Sequence, residues 1–266
     1  MTTSTASSWA EGALAPRPGS AGRLTMLAAQ ARTELVLLLR NGEQVLLSLV
    51  LPLGLLVVLS TLSFVEITYP SKPDVARPDF FTPGVIALAV MSTAFTGQAI
   101  ATGFERQYGV LKRLGATPLP RSTLLLAKTL SVLAVELLQL LLIGAVAYAL
   151  GWQPQGNAAS VLALVVLGTA AFSGLGLLLG GTLRGLVCLA VANLAWLLLL
   201  VLGGVMFDLS AFGPAEPVLR LLPSAALSDG LRSTLVGGQL VGRDVVTLAV
   251  WGAGSLLAAS RAFRWE

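Results

Sequence analysis

The sequence predicts an all-α, polytopic membrane protein with six transmembrane helices, and three observations carry that prediction. Hydrophobic residues make up 55% of the 266 positions and charged residues 11%, with a mean hydropathy of +0.84, so too little polar surface remains to coat a water-soluble fold. The apolar residues gather into runs close to the ~20 that cross ~30 Å of hydrocarbon. Most of the charged residues fall between those runs rather than inside them.

Residues 1–20 are rich in Ser, Thr, Ala, Gly and Pro and lack hydrophobic periodicity, which predicts a disordered tail ahead of a single transmembrane domain over 21–266. Ala13-Leu14-Ala15 has the form of a signal-peptidase site, but no apolar segment precedes it, so the first spanning helix is expected to direct targeting. Residues 22–43 place Leu24, Leu27, Ala28, Ala31, Leu35, Leu38 and Leu39 at helical spacing, with Arg23, Gln30, Arg32 and Glu34 largely between them. That pattern predicts an amphipathic helix lying on the membrane surface. Leu35 to Leu39 could instead begin the first span; Arg40-Asn41-Gly42-Glu43 favours a break.

Six spans are expected at Val45–Phe64, Thr82–Thr102, Leu124–Leu150, Ala158–Gly181, Gly185–Phe207 and Val245–Phe263. The third contains Glu136 and begins near Lys128, yet about fifteen Leu, Ile and Val at ~0.3–0.6 kcal/mol each outweigh a charge penalty of ~3 kcal/mol. The sixth reaches full length only by including Arg261, whose side chain can snorkel. Short links at Gly151–Asn157 and Thr182–Arg184 imply antiparallel neighbours, whereas residues 208–244 form a long connection. Within it, the stretches starting at Pro217 and Pro223 read as short amphipathic helices with proline in the first turn, too short to span, that dip into the interface or fold back between spans.

The charges set an orientation. Eleven Lys and Arg (Arg17, Arg23, Arg32, Arg40, Arg106, Lys112, Arg113, Arg121, Arg184, Arg261 and Arg264) lie on one side and five (Lys72, Arg77, Arg220, Arg232 and Arg243) on the other. By the positive-inside rule both termini and the insert Glu105–Arg121 are cytoplasmic. The basic balance is thereby accounted for by the membrane, without nucleic acid as a partner.

Several chemistries are excluded. The chain has no histidine and one cysteine, Cys188, inside an apolar run, which argues against metal and His-based catalysis and excludes an internal disulfide. Its three lysines follow Ser71, Leu111 and Ala127, so no Gly-Lys-Ser/Thr phosphate loop exists to bind ATP. No Gly-x-Ser-x-Gly motif and no paired aspartates in the spans support an intramembrane enzyme. Gly174, Gly176 and Gly180 have the wrong spacing for a dinucleotide fingerprint, and Gly176 with Gly180, like Gly254 with Ala258, is expected to let helices approach closely.

Glu136 is the costliest residue at membrane depth. It either lines a substrate path or hydrogen-bonds between helices, with Gln98, Gln139 or Asn193 as partners. Lys128 reads as a snorkelling anchor. The insert comprises Glu105 and Arg106, Gly109, an apolar-basic turn Val110-Leu111-Lys112-Arg113-Leu114, and then Gly115 with Pro118 and Pro120 as helix stops. Lys112, Arg113 and Arg121 would also suit anionic lipid headgroups.

The pattern Glu105-Arg106-x-x-Gly109-x-Leu111-x-x-Leu114, followed by Thr117-Pro118-Leu119-Pro120 between the second and third spans, resembles the coupling region of ABC-2 type permeases, the membrane subunits of bacterial ABC exporters. The likeness extends over residues 22–266 through the surface helix and the short external helices. What the resemblance implies is a permease in the plasma membrane that binds no cofactor itself and works with a separate ATPase chain carrying ATP and Mg, and with a second permease copy or a related permease. It also implies that Glu105, Arg106, Gly109, Leu111 and Leu114 face the ATPase, and Lys112 and Arg113 of the same turn are assigned to that coupling region. Leu111 and Leu114, three apart on one short helix, are the expected apolar anchors, with Glu105 and Arg106 fixing its orientation. The sparse charge of the spans favours export of a hydrophobic or amphipathic compound such as an antibiotic. Lipid or polysaccharide-precursor export is the alternative, and an ion-coupled transporter using Glu136 a further one.

Overall fold

A computed structural model describes residues 21–62, 74–205 and 209–263, all of them helix or connecting turn with no strand among them. The expected tail at 1–20, Lys72 and Arg264 lie outside the described residues. Helix α1 (Arg23–Arg40) ends at Asn41, and α2 (Gly42–Thr61) starts at once, so the chain breaks where the polar Arg40–Glu43 stretch predicts. Helix α1 packs along α6 (Arg121–Ala149), with Glu34 turned inward.

Among the described residues, five helices are long and apolar enough to cross a membrane, against the six that the sequence predicts. They are Arg77–Gln107, α6, α7 (Ala158–Thr182), α8 (Gly185–Leu202) and α11 (Gly242–Ala262). The expected first span corresponds to α2, whose described apolar part, Ser48–Thr61, is shorter than a span. The second begins at Arg77 rather than Thr82 because Pro78 occupies the first turn, where its missing N–H costs nothing.

That second span is not one regular helix. It runs as α3 (Arg77–Val90), a π-helical segment (Met91–Gly97) and α4 (Gln98–Gln107). Helix α7 lies against the last two through Gly176 and Gly180: a Cβ on either would come within 2.7 Å of Phe95 O or 2.6 Å of Ala99 O, closer than carbon and oxygen can approach. Gly254, by contrast, faces open space, and α11 meets α7 through Gly252 instead.

The long connection after α8 contains a 3₁₀ segment (Leu209–Ala215), α9 (Glu216–Leu219) and α10 (Pro223–Leu235). Helix α10 is not a surface helix. Most of it is buried against α3, α7 and α11, and Arg232, 2% exposed, lies over the Phe80 ring and donates to Gly204 O at 3.2 Å. The Gln155 N–H donates to Leu235 O, tying the α6–α7 link to the same end. The molecule thus has an α10 end and, opposite it, an end at α5 (Val110–Gly115).

Candidate functional site

At the α5 end, α4 stops at Tyr108 and Gly109 reverses the chain with φ +71°, a conformation natural to glycine, before α5 (Val110–Gly115) begins. Leu111 is fully buried, in a cluster with Leu124, Leu125, Leu177, Ala259 and Phe263. Leu114 packs on that cluster, partly buried. The expectation that both leucines present themselves to another chain is therefore corrected for Leu111: α5 lies so close over α6, α7 and the end of α11 that this side chain anchors the helix to its own protein. The face left outside carries Tyr108, Val110, Lys112 and Arg113, with Tyr108 stacked on Phe104 at 6.0 Å between centroids.

Glu105 and Arg106 also turn toward their own chain. Lys128 Nζ donates to Glu105 Oε1 at 2.8 Å and to Glu34 Oε2 at 2.9 Å, and Glu34 Oε1 accepts from Gln30 Nε2. Arg106 Nη1 reaches Leu183 O in the α7–α8 turn at 3.5 Å. Lys128, 4% exposed, is therefore no snorkelling anchor: two carboxylates hold it inside and join α1, α4 and α6. A cavity of about 290 Å³ adjoins this triad, lined mainly by residues of the same three helices, including Gln98 and Thr102, and also by Asn41, by Thr93 and Gly97 of the π segment and by Tyr108 and Val110.

None of the expected partners meets Glu136. Its Oε2 accepts from the Thr169 hydroxyl on α7, and its Oε1 has no partner. Gln139 instead donates to Ser48 O at 3.0 Å and Thr93 Oγ1 at 3.1 Å, joining α6 to α2 and to the π segment. Asn193 is exposed on α8, donates to Leu189 O in its own helix, and lines a cavity of about 430 Å³ with Ser92, Thr96, Pro52 and Trp196. Trp196 Nε1 donates to Ser92 Oγ at 3.1 Å. Gln98, Gln139 and Asn193 thus occupy three different settings.

With this geometry in view, the sequence model described as ABC-2 type transporter matches residues 26–236. The chain belongs to that family. The match takes in α1 through α10, and with them the α5 turn, the charge triad and both cavities. No curated protein matches the chain. As an ABC-2 type transporter with several membrane-crossing helices, the protein is a multi-pass membrane permease.

Sequence reasoning misses two features of this permease. The triad left a trace, since Glu34 falls between Ala31 and Leu38 on the apolar stripe of α1 and Lys128 interrupts an apolar helix. Two misplaced charges of opposite sign invite pairing. The π segment left none, because Met91–Gly97 has an ordinary apolar composition.

Proposed function

We propose that this permease is the membrane half of an ATP-driven exporter, coupled through α5 to a separate ATPase that carries ATP and Mg. The observation that carries the reading is the construction of the α5 end: a short helix fixed inward by Leu111, with Tyr108, Val110, Lys112 and Arg113 left outside. A push on that outer face would travel through Glu105 and Lys128 into α1 and α6 and through Arg106 into the α7–α8 turn. Helix α2 completes six spans, 21–266 form the transmembrane domain, and α1 lies at the cytoplasmic surface of a bacterial plasma membrane with both termini inside. A second permease copy or a related permease completes the pathway, for which the exposed apolar face of α8 (Leu186, Leu194, Leu197, Leu198) offers area, shared with lipid.

The cargo favoured by the apolar linings is a hydrophobic or amphipathic compound, an antibiotic or similar drug, exported outward. Changing Val110→Asp, Lys112→Glu and Arg113→Glu together alters only exposed positions. The variant should reach the membrane at normal levels yet lose its ATPase on purification and stop transporting. Stoichiometric ATPase with normal transport in that variant would reduce α5 to a lipid-facing anchor. With the intact complex in vesicles, stimulation of hydrolysis by lipid or glycan precursors rather than by drugs would move the cargo to the second class, and proton-driven uptake without ATP would favour ion coupling through Glu136.

A further inference from the structure

The charge triad does not balance. Two carboxylates, Glu34 and Glu105, surround one ammonium, Lys128, leaving one negative charge in excess. Glu34 uses both oxygens, one toward Gln30 and one toward Lys128. Glu105 uses only Oε1; its Oε2 is buried without a partner. Gln98, 5% exposed and lining the same cavity, has neither its amide oxygen nor its amide nitrogen partnered, and the Thr102 hydroxyl is unpartnered too. Buried polar groups almost always find partners, so unpartnered groups on three residues around one cavity mark a place built for something polar.

We propose that the cavity between α1, α4 and α6 binds the protonated amine of an amphipathic ligand, with Glu105 Oε2 and Gln98 Oε1 accepting its N–H groups. The sign follows from the excess charge: an anion would be repelled, while a cation restores neutrality. The shape of the donor follows from the acceptors. One free carboxylate oxygen, one amide oxygen and one hydroxyl are too few for a bare divalent ion such as calcium, which takes six to eight oxygens, but they suit the directed N–H bonds of an ammonium group. Leu37, Leu38, Phe104 and Val132 also line the cavity, beside the polar Asn41, Thr93 and Ser131, and would cover an apolar body. A lipid headgroup amine and the amine of a drug-like amphiphile share this chemistry.

That such a ligand is cargo rests on the exporter reading above; that it binds does not. The test therefore uses the full-length permease alone, without ATPase, in phosphatidylglycerol nanodiscs. The probes are the fluorescent primary amine dansylcadaverine and its neutral N-acetyl derivative, with signal from empty discs subtracted. The unaltered protein should prefer the amine by about tenfold or more, as expected for a charge-assisted contact. Glu105→Gln keeps the Glu34–Lys128 pair and an oxygen toward Lys128, so it should fold, yet the preference should fall to about twofold or less. Gln98→Leu removes an unpartnered buried amide. It should raise the melting temperature while weakening amine binding, a combination that a packing residue would not produce. Adding phosphatidylethanolamine identifies a lipid amine if it displaces the probe and a soluble amphiphile if it does not. Equal affinity for both probes, a preference that survives Glu105→Gln, or full amine affinity in Gln98→Leu overturns the proposal.

Discussion

Lys128 shows how a single residue can hold three helices. Replacing it with Met strands Glu34 and most of Glu105 inside the protein without a cation, and breaking a buried pair from one side costs about 3–5 kcal/mol. Lys128→Met should lower the melting temperature of the purified permease sharply, whereas changing Glu34, Glu105 and Lys128 together to Leu should recover most of it, because no unpaired charge then remains. Glu136 poses a narrower question. Glu136→Gln keeps an oxygen for the Thr169 hydroxyl, so assembly judged by gel filtration should be unchanged. Unchanged transport in the same variant would show that no charge at this position takes part. Partner choice at this scale was the least legible part of the sequence. Gln98, Gln139 and Asn193 were sensible candidates for Glu136 by depth and chemistry, but a helix presents each residue in one direction only, and the rotation of α4, α6 and α8 about their axes is set by packing. A threonine, which any apolar helix tolerates, met the carboxylate instead.

At the scale of elements, the apolar runs and the breaks between them were readable because each depends on local composition. Helix α1 stops where polar residues interrupt its stripe, and α10 starts at the proline that marks it. The glycines of α7 were readable as a pattern, and the structure supplies their opposite surface, the π segment and α4. Gly180→Val should push α7 away from Ala99 O and Thr102 Cβ, where no flexible side chain can yield. A loss of about 1–3 kcal/mol is expected from overpacking, read as a lower melting temperature, and Gly254→Val, placed in open space, should leave that temperature nearly unchanged. The π segment was illegible for the opposite reason. The wider turn coincides with contacts that Thr93 and Ser92 make to other helices, and local composition does not record such contacts.

For the whole molecule, the alternation of ends gives a direct test of orientation. Single cysteines at Gln239, exposed at the α10 end, and at Lys112, exposed at the α5 end, can be placed on a Cys188→Ala background. An impermeant thiol reagent added to whole cells should label the first and spare the second; the reverse pattern would turn the protein over in the membrane. The triad also bears on how the chain is made. Glu34 leaves the ribosome long before Lys128, its partner 94 positions later, and Glu105 precedes that partner by 23. During this interval α1 carries a carboxylate with nowhere dry to go and must wait among the lipid headgroups. Docking of Glu34 against α6 thus awaits the synthesis of Lys128, and a nascent chain cut short before that residue holds two carboxylates without the cation that joins them.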